Sequence, residues 1–170
     1  MLTTWIGATL ARDLRALRRE VEAYADERDL WRVPKGIANS AGNLALHLVG
    51  NLRQFVGAVL GGDGYVRNRD AEFSSRDVPR PALLREIDAA ISAVQQGMAR
   101  VKESDLARPF PMPVGGHTVA TGDFLNHLMA HFGYHLGQID YHRRIVTGAP
   151  APVGTMAIPE LATAKPVAKS

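Results

Sequence analysis

The stretch His127-Leu-Met-Ala-His131-Phe-Gly-Tyr-His135-Leu-Gly-Gln-Ile139 decides how the rest of the chain is read, because it sets three imidazoles at intervals of four residues in an apolar segment. A step of four residues turns only about 40° around a helix axis, so His131 and His135 lie one turn apart on the same face, a spacing that suits a shared metal ion. Phe124, Leu125, Leu128, Met129, Phe132, Leu136 and Ile139 flank the row on both sides, which directs it towards the protein interior. A buried imidazole needs partners, since each unsatisfied ring nitrogen costs on the order of 1–3 kcal/mol. A single core histidine usually finds an ordinary hydrogen bond, whereas a row of three favours a metal or proton-transfer site over purely structural histidines. Phe132, Gly133 and Tyr134 fill the gap where the zinc-protease pattern carries its glutamate, which speaks against metalloprotease chemistry.

Outward from this motif, the helix that carries it is expected to begin with Thr118 or Thr121 as cap and to end at Thr147-Gly148. Arg143 and Arg144 complement its C-terminus there, and Gly148 can take the left-handed cap. An amphipathic helix is expected over residues 2–30, from the spacing of Ile6, Leu10, Leu14, Leu17, Val21 and Tyr24. A second is expected from Ser40, a plausible N-cap, to Leu60, where Gly61-Gly62 stops it, and a third over 81–101 with Pro81 in its first turn. Residues 61–81 read as a long loop, a length that suggests a covering role, and residues 105–116 as a Pro- and Gly-rich connection. The reading is therefore all-α: four helices in a bundle with long interhelical connections, one domain over 1–148, and a Pro/Ala-rich tail over 149–170 expected to be flexible.

The second helix holds the partner. Its apolar stripe (Leu44, Leu48, Leu52, Phe55, Val59) runs beside a polar one made of Asn43, His47, Asn51 and Gln54. The polar row either faces water or turns His47 inward to His131 and His135, with Asn51 as an outer hydrogen-bonding group. Helices packed about 8–10 Å apart can bring three imidazoles to one ion at about 2.0–2.1 Å per nitrogen.

Composition narrows the chemistry. A chain of 170 residues with 46% hydrophobic and 22% charged residues is an ordinary globular protein, and a net charge of +3 is too small to argue for nucleic acid. With no cysteine, disulfides, thiolate ligands and a cysteine nucleophile are excluded, so any thiol must arrive with a ligand. There is no leader-like N-terminus and no run of about 18 apolar residues, so a cytoplasmic, membrane-free protein is expected.

The motifs Asn43-Leu-Ala-Leu-His47, Gly50-Asn-Leu-Arg-Gln54 and His131-x-x-Tyr134-His135-x-Gly137-Gln138-Ile139 resemble those of the DinB-like four-helix-bundle family, over residues 2–148. The resemblance implies a metal triad at His47, His131 and His135, a divalent zinc, nickel or iron ion, and a small-molecule substrate of low-molecular-weight thiol type. It is also compatible with a homodimer. His127, Asn51 and Gln138 are expected around the triad. Leu136 stands where the family often has arginine, and the further C-terminal domain of mycothiol-dependent isomerase members is lacking. A metal-dependent enzyme, a thiol S-transferase or a hydrolase, is thus the expected function, with a non-catalytic metal- or ligand-binding module as the alternative.

Overall fold

The computed structural model describes residues 1–167, and among these it is all-helical, with no strand. Five α-helices form the frame: α1 (Leu2–Glu22), α2 (Ala41–Leu52), the short α3 (Arg69–Ser74), α4 (Arg80–Arg100) and α5 (Thr121–Thr147). Helices α1 and α2 each pack against both α4 and α5, and α3 lies against α2. The shared core is formed by Leu10, Leu14 and Leu17 of α1, Leu48 and Leu52 of α2, Leu83 and Ile87 of α4, and Leu125, Phe132 and Ile139 of α5, all essentially without solvent exposure. Each such side chain contributes about 1.5–3 kcal/mol of burial free energy. No helix is long and apolar enough to cross a membrane among the described residues.

Local chemistry accounts for most of the boundaries. The Ser40 side chain accepts from the Asn43 N–H and caps α2, Pro81 sits in the first turn of α4, and Gly148 ends α5 at φ 70°. Neither Thr118 nor Thr121 caps α5. Ala120 holds the cap position without a side-chain bond, and the Thr121 and Gly122 N–H groups donate instead to the carbonyls of Arg108 and Leu106 in the preceding connection.

Three elements differ from the sequence expectation. The first helix ends at Glu22, because the Asp26 carboxylate accepts from the Arg28 N–H and opens a separate 3-10 turn, Glu27–Trp31, that buries Leu30 and Trp31. The second helix continues to Leu60, but over Arg53–Leu60 it widens into a π-helix. The wide turns press the Val56 carbonyl onto α4, so close that a Cβ at Gly97 would lie 2.2 Å from it. Within the expected loop 61–81, α3 forms behind an Asn68 cap whose side chain accepts from the Ala71 N–H.

The tail returns along α1: Arg19 donates to the carbonyls of Val153 and Gly154 and to Glu160, and Arg143 donates to the Ala151 carbonyl. The end of the tail expected to be flexible, residues 168–170, lies outside the described residues.

A buried ion pair ties α1 to α5. Arg143 Nε donates to Glu20 Oε2 at 2.6 Å, and its Nη2 donates to Asp140 at 3.0 Å, with Arg143 and Glu20 both withdrawn from solvent. Removing one partner leaves an uncompensated buried charge, so Arg143→Ala is expected to lower the unfolding free energy by about 3–5 kcal/mol. Replacing both ends, Glu20→Leu with Arg143→Met, should recover most of that loss in urea denaturation.

Candidate metal centre

The histidines expected from the sequence to meet do meet. His47 projects from α2, buried, and His131 and His135 from successive turns of α5, half-buried. One nitrogen from each of the three rings lies within 4.8 Å of the others, so the group is positioned to hold a metal ion. His47 Nε2 stands 3.2 Å from His131 Nε2. Two nitrogens each about 2.0–2.1 Å from one ion are about 2.8–3.4 Å apart for angles between octahedral and tetrahedral, so the observed separation suits two ligands of one ion. The His131 and His135 rings meet edge to face at 4.6 Å between centroids.

The protons are directed away from this meeting point. His47 Nδ1 is 3.0 Å from Glu72 Oε2 and 3.1 Å from Arg67 Nη2, but that Nη2 donates to the same carboxylate oxygen at the shorter 2.7 Å, and an ionised carboxylate can only accept, so Nδ1 gives its proton to the bond with Glu72 and Nε2 keeps its lone pair. His135 Nδ1 donates in the same way to Gln138 Oε1 at 2.7 Å, which leaves its Nε2 free. Burial alone would raise the Glu72 pKa, but the hydrogen bonds from Arg67 and His47 outweigh it and hold the carboxyl below its ordinary range. Burial, with the neighbouring His135, His47 and His127 and then Arg67 adding to it, lowers His131 to about 4. Burial also lowers His135, against the Gln138 hydrogen bond. At neutral pH these two imidazoles are therefore neutral, the form a metal requires.

Glu72 and Arg67 are the functional residues that periodicity does not reveal. Arg67 donates Nε to Glu72 Oε1 and Nη2 to Oε2, each at 2.7 Å, so guanidinium and carboxylate form a two-bonded pair in which Glu72 is 6% exposed. The segment is fastened to α2 by Asn43, whose Nδ2 donates to the carbonyls of Glu72 and Ser75. Gly50 leaves the space: a Cβ there would lie 2.0 Å from Glu72 Oε1. The available sequence signals were indirect, namely an unusually long loop, a polar Asn43 one turn before His47, and a glycine inside a helix.

The remaining expected residues take different places. Gln138 touches His135 directly. His127 is exposed and stacks between Phe124 and His131, at 5.9 and 6.0 Å. Asn51 is buried on α2 and makes no hydrogen bond with the three histidines. His142 is committed elsewhere: its Nδ1 accepts from Tyr24 OH at 2.7 Å and its Nε2 donates to the Arg32 carbonyl at 2.9 Å.

Fold and site together define an all-helical protein with a three-histidine group able to hold a metal ion. The sequence profile of the family described as protein of unknown function (DUF1572) matches residues 7–160, and the chain belongs to that family. The match extends past Gly148 into the segment that docks on α1. Among curated proteins no match is found.

Two outcomes test the geometry. In metal-free protein the unfolded His131 takes a proton near its ordinary 6.5, whereas the folded one resists it until about 4. Over that window the unfolded state binds more protons, so stability should fall as pH drops from about 6.5 to about 4 and lose nothing more from this group below it. Chemical denaturation at a series of pH values measures this. Second, Glu72→Gln, and Gly50→Ala through displacement of the carboxylate, should each weaken divalent-metal binding by about 10–100-fold in competition with a chromophoric chelator.

Proposed function

We propose that this protein is a metal-dependent enzyme of the DinB-like four-helix-bundle type, with His47, His131 and His135 as ligands of one divalent ion, zinc, nickel or iron. The observation that carries the reading is the approach of His47 Nε2 to His131 Nε2 at 3.2 Å, with the opposite nitrogen of His47 committed to Glu72. Three neutral imidazoles leave at least one position open, which is characteristic of catalytic rather than closed structural sites. An ion bound there lowers the pKa of a coordinated water or thiol.

The chain's own groups hold the site in register. Glu72, braced by Arg67, keeps the His47 ring aimed, and Gln138 does the same for His135. Phe73 covers the His47 ring at 4.9 Å between centroids and limits water on that side. The resemblance to the DinB-like family implies transfer involving a small-molecule thiol, and because the chain has no cysteine any sulfur nucleophile would have to arrive as substrate. The alternative, a non-catalytic metal-binding module, predicts the same metal content with no turnover.

Each of His47→Ala, His131→Ala and His135→Ala should lose most of the bound metal, whereas His117→Ala should retain it. With the metal-loaded protein, a panel of low-molecular-weight thiols and electrophilic acceptors should show a rate that disappears in His135→Ala. Equal metal content in His131→Ala and wild type contradicts the site. Metal retention without any metal-dependent rate favours the binding module.

A further inference from the structure

The segment 34–39 that leads into α2 stands off from α5 and leaves a cavity of about 470 Å³. Its walls are apolar, formed by Ile37, Leu44, Tyr141 and Ile145. Ile37, Tyr141 and Ile145 remain 45%, 67% and 67% exposed, so three large apolar side chains border a concavity that the described chain does not fill. A volume of this size, apolar with a few polar groups, is typical of small-molecule sites.

The cavity shares a side chain with the candidate metal centre. Gln138 lines it, and the same residue accepts the hydrogen bond from His135 Nδ1. Lys35 is the one charged residue of the lining, and no acidic residue faces it there. His142 adds a neutral surface, its two nitrogens being held by Tyr24 and the Arg32 carbonyl, and burial keeps its pKa below the ordinary value. The groove on the other side of Asn39 is different in kind: it is open and lined by Arg69, Asp70 and Ser74 beside Phe73.

We infer that the cavity between segment 34–39 and α5 binds a compact apolar molecule bearing one anionic group, of the aryl- or alkyl-carboxylate class. Its body lies along Ile37, Leu44, Tyr141 and Ile145, Lys35 answers its charge, and Gln138 separates it from His135. This places a ligand beside the site proposed above, on the far side of Gln138 from His135, and rests on that reading only for the role of His135. Burial of the body supplies affinity, and the single cation selects the anion over a neutral molecule of the same shape.

The experiment titrates phenylbutyrate, and phenylbutanol as its neutral counterpart, into the full-length metal-free protein, with affinity read by calorimetry and contacts by the side-chain NMR signals of the histidines. Phenylbutyrate should shift the signals of His142 and His135 and leave His117 unmoved. Lys35→Met should weaken phenylbutyrate by about tenfold and phenylbutanol hardly at all, and Ile145→Glu should weaken phenylbutyrate by more than about tenfold. Both positions are exposed, so the fold tolerates the changes. Unmoved His142 and His135 signals up to about 10 mM probe, or affinity for phenylbutyrate unchanged in Lys35→Met, overturn the proposal. Because the titration uses metal-free protein, failure of the triad to bind metal refutes the proposed function separately and leaves this result standing.

Discussion

The hydrogen bond from His47 Nδ1 to Glu72 Oε2 is the constraint on which the candidate metal centre depends. A carboxylate that is 6% exposed is costly to desolvate, and it stays ionised only because Arg67 supplies two N–H donors and His47 a third. The same charge then fixes which nitrogen of His47 carries the proton, and so which one faces His131. A residue of the short helix α3 thereby decides which nitrogen a residue of α2 turns to His131. Asn43 and Gly50 serve that bond from α2, the first by holding the backbone of α3 in place and the second by leaving room for the carboxylate.

The long helices supply rigidity. Helix α5 is 27 residues long and carries two of the three imidazoles, and its register against α1 is held by the Glu20–Arg143 pair, with the Tyr24–His142 hydrogen bond beside it, just past the end of α1. Helix α2 reaches α4 through its π-helical extension, where the carbonyl of Val56 meets Gly97. That contact costs the regular hydrogen-bond pattern over Arg53–Leu60 and gains a backbone approach that no side chain could replace. The histidines therefore sit between helices whose relative positions are set by contacts outside the site.

What could be read from the sequence was what local chemistry or periodicity encodes. The four-residue steps from His127 to His135, the polar row from Asn43 through His47, the Ser40 cap, Pro81 and Gly148 each act within a turn or two of the chain. The π-helical segment was not legible, because it answers to Gly97 some 40 residues away. The early end of α1 was hidden because Tyr24, Leu30 and Trp31 continue the apolar pattern while Asp26 changes the backbone geometry beneath it. Glu72 and Arg67 lie in a stretch with no periodicity. Their place is set by side-chain to backbone bonds from Asn43, which leave no pattern in the segment they hold.

X-ray absorption at the metal edge of the zinc-loaded protein tests the central claim most directly. Three imidazole nitrogens at about 2.0–2.1 Å, recognised by the outer-shell scattering of their rings and completed by oxygen, are the predicted first shell. The small fraction of zinc that His47→Ala retains should show one imidazole fewer. A shell dominated by oxygen, or an imidazole count unchanged when His47 is removed, would contradict the account.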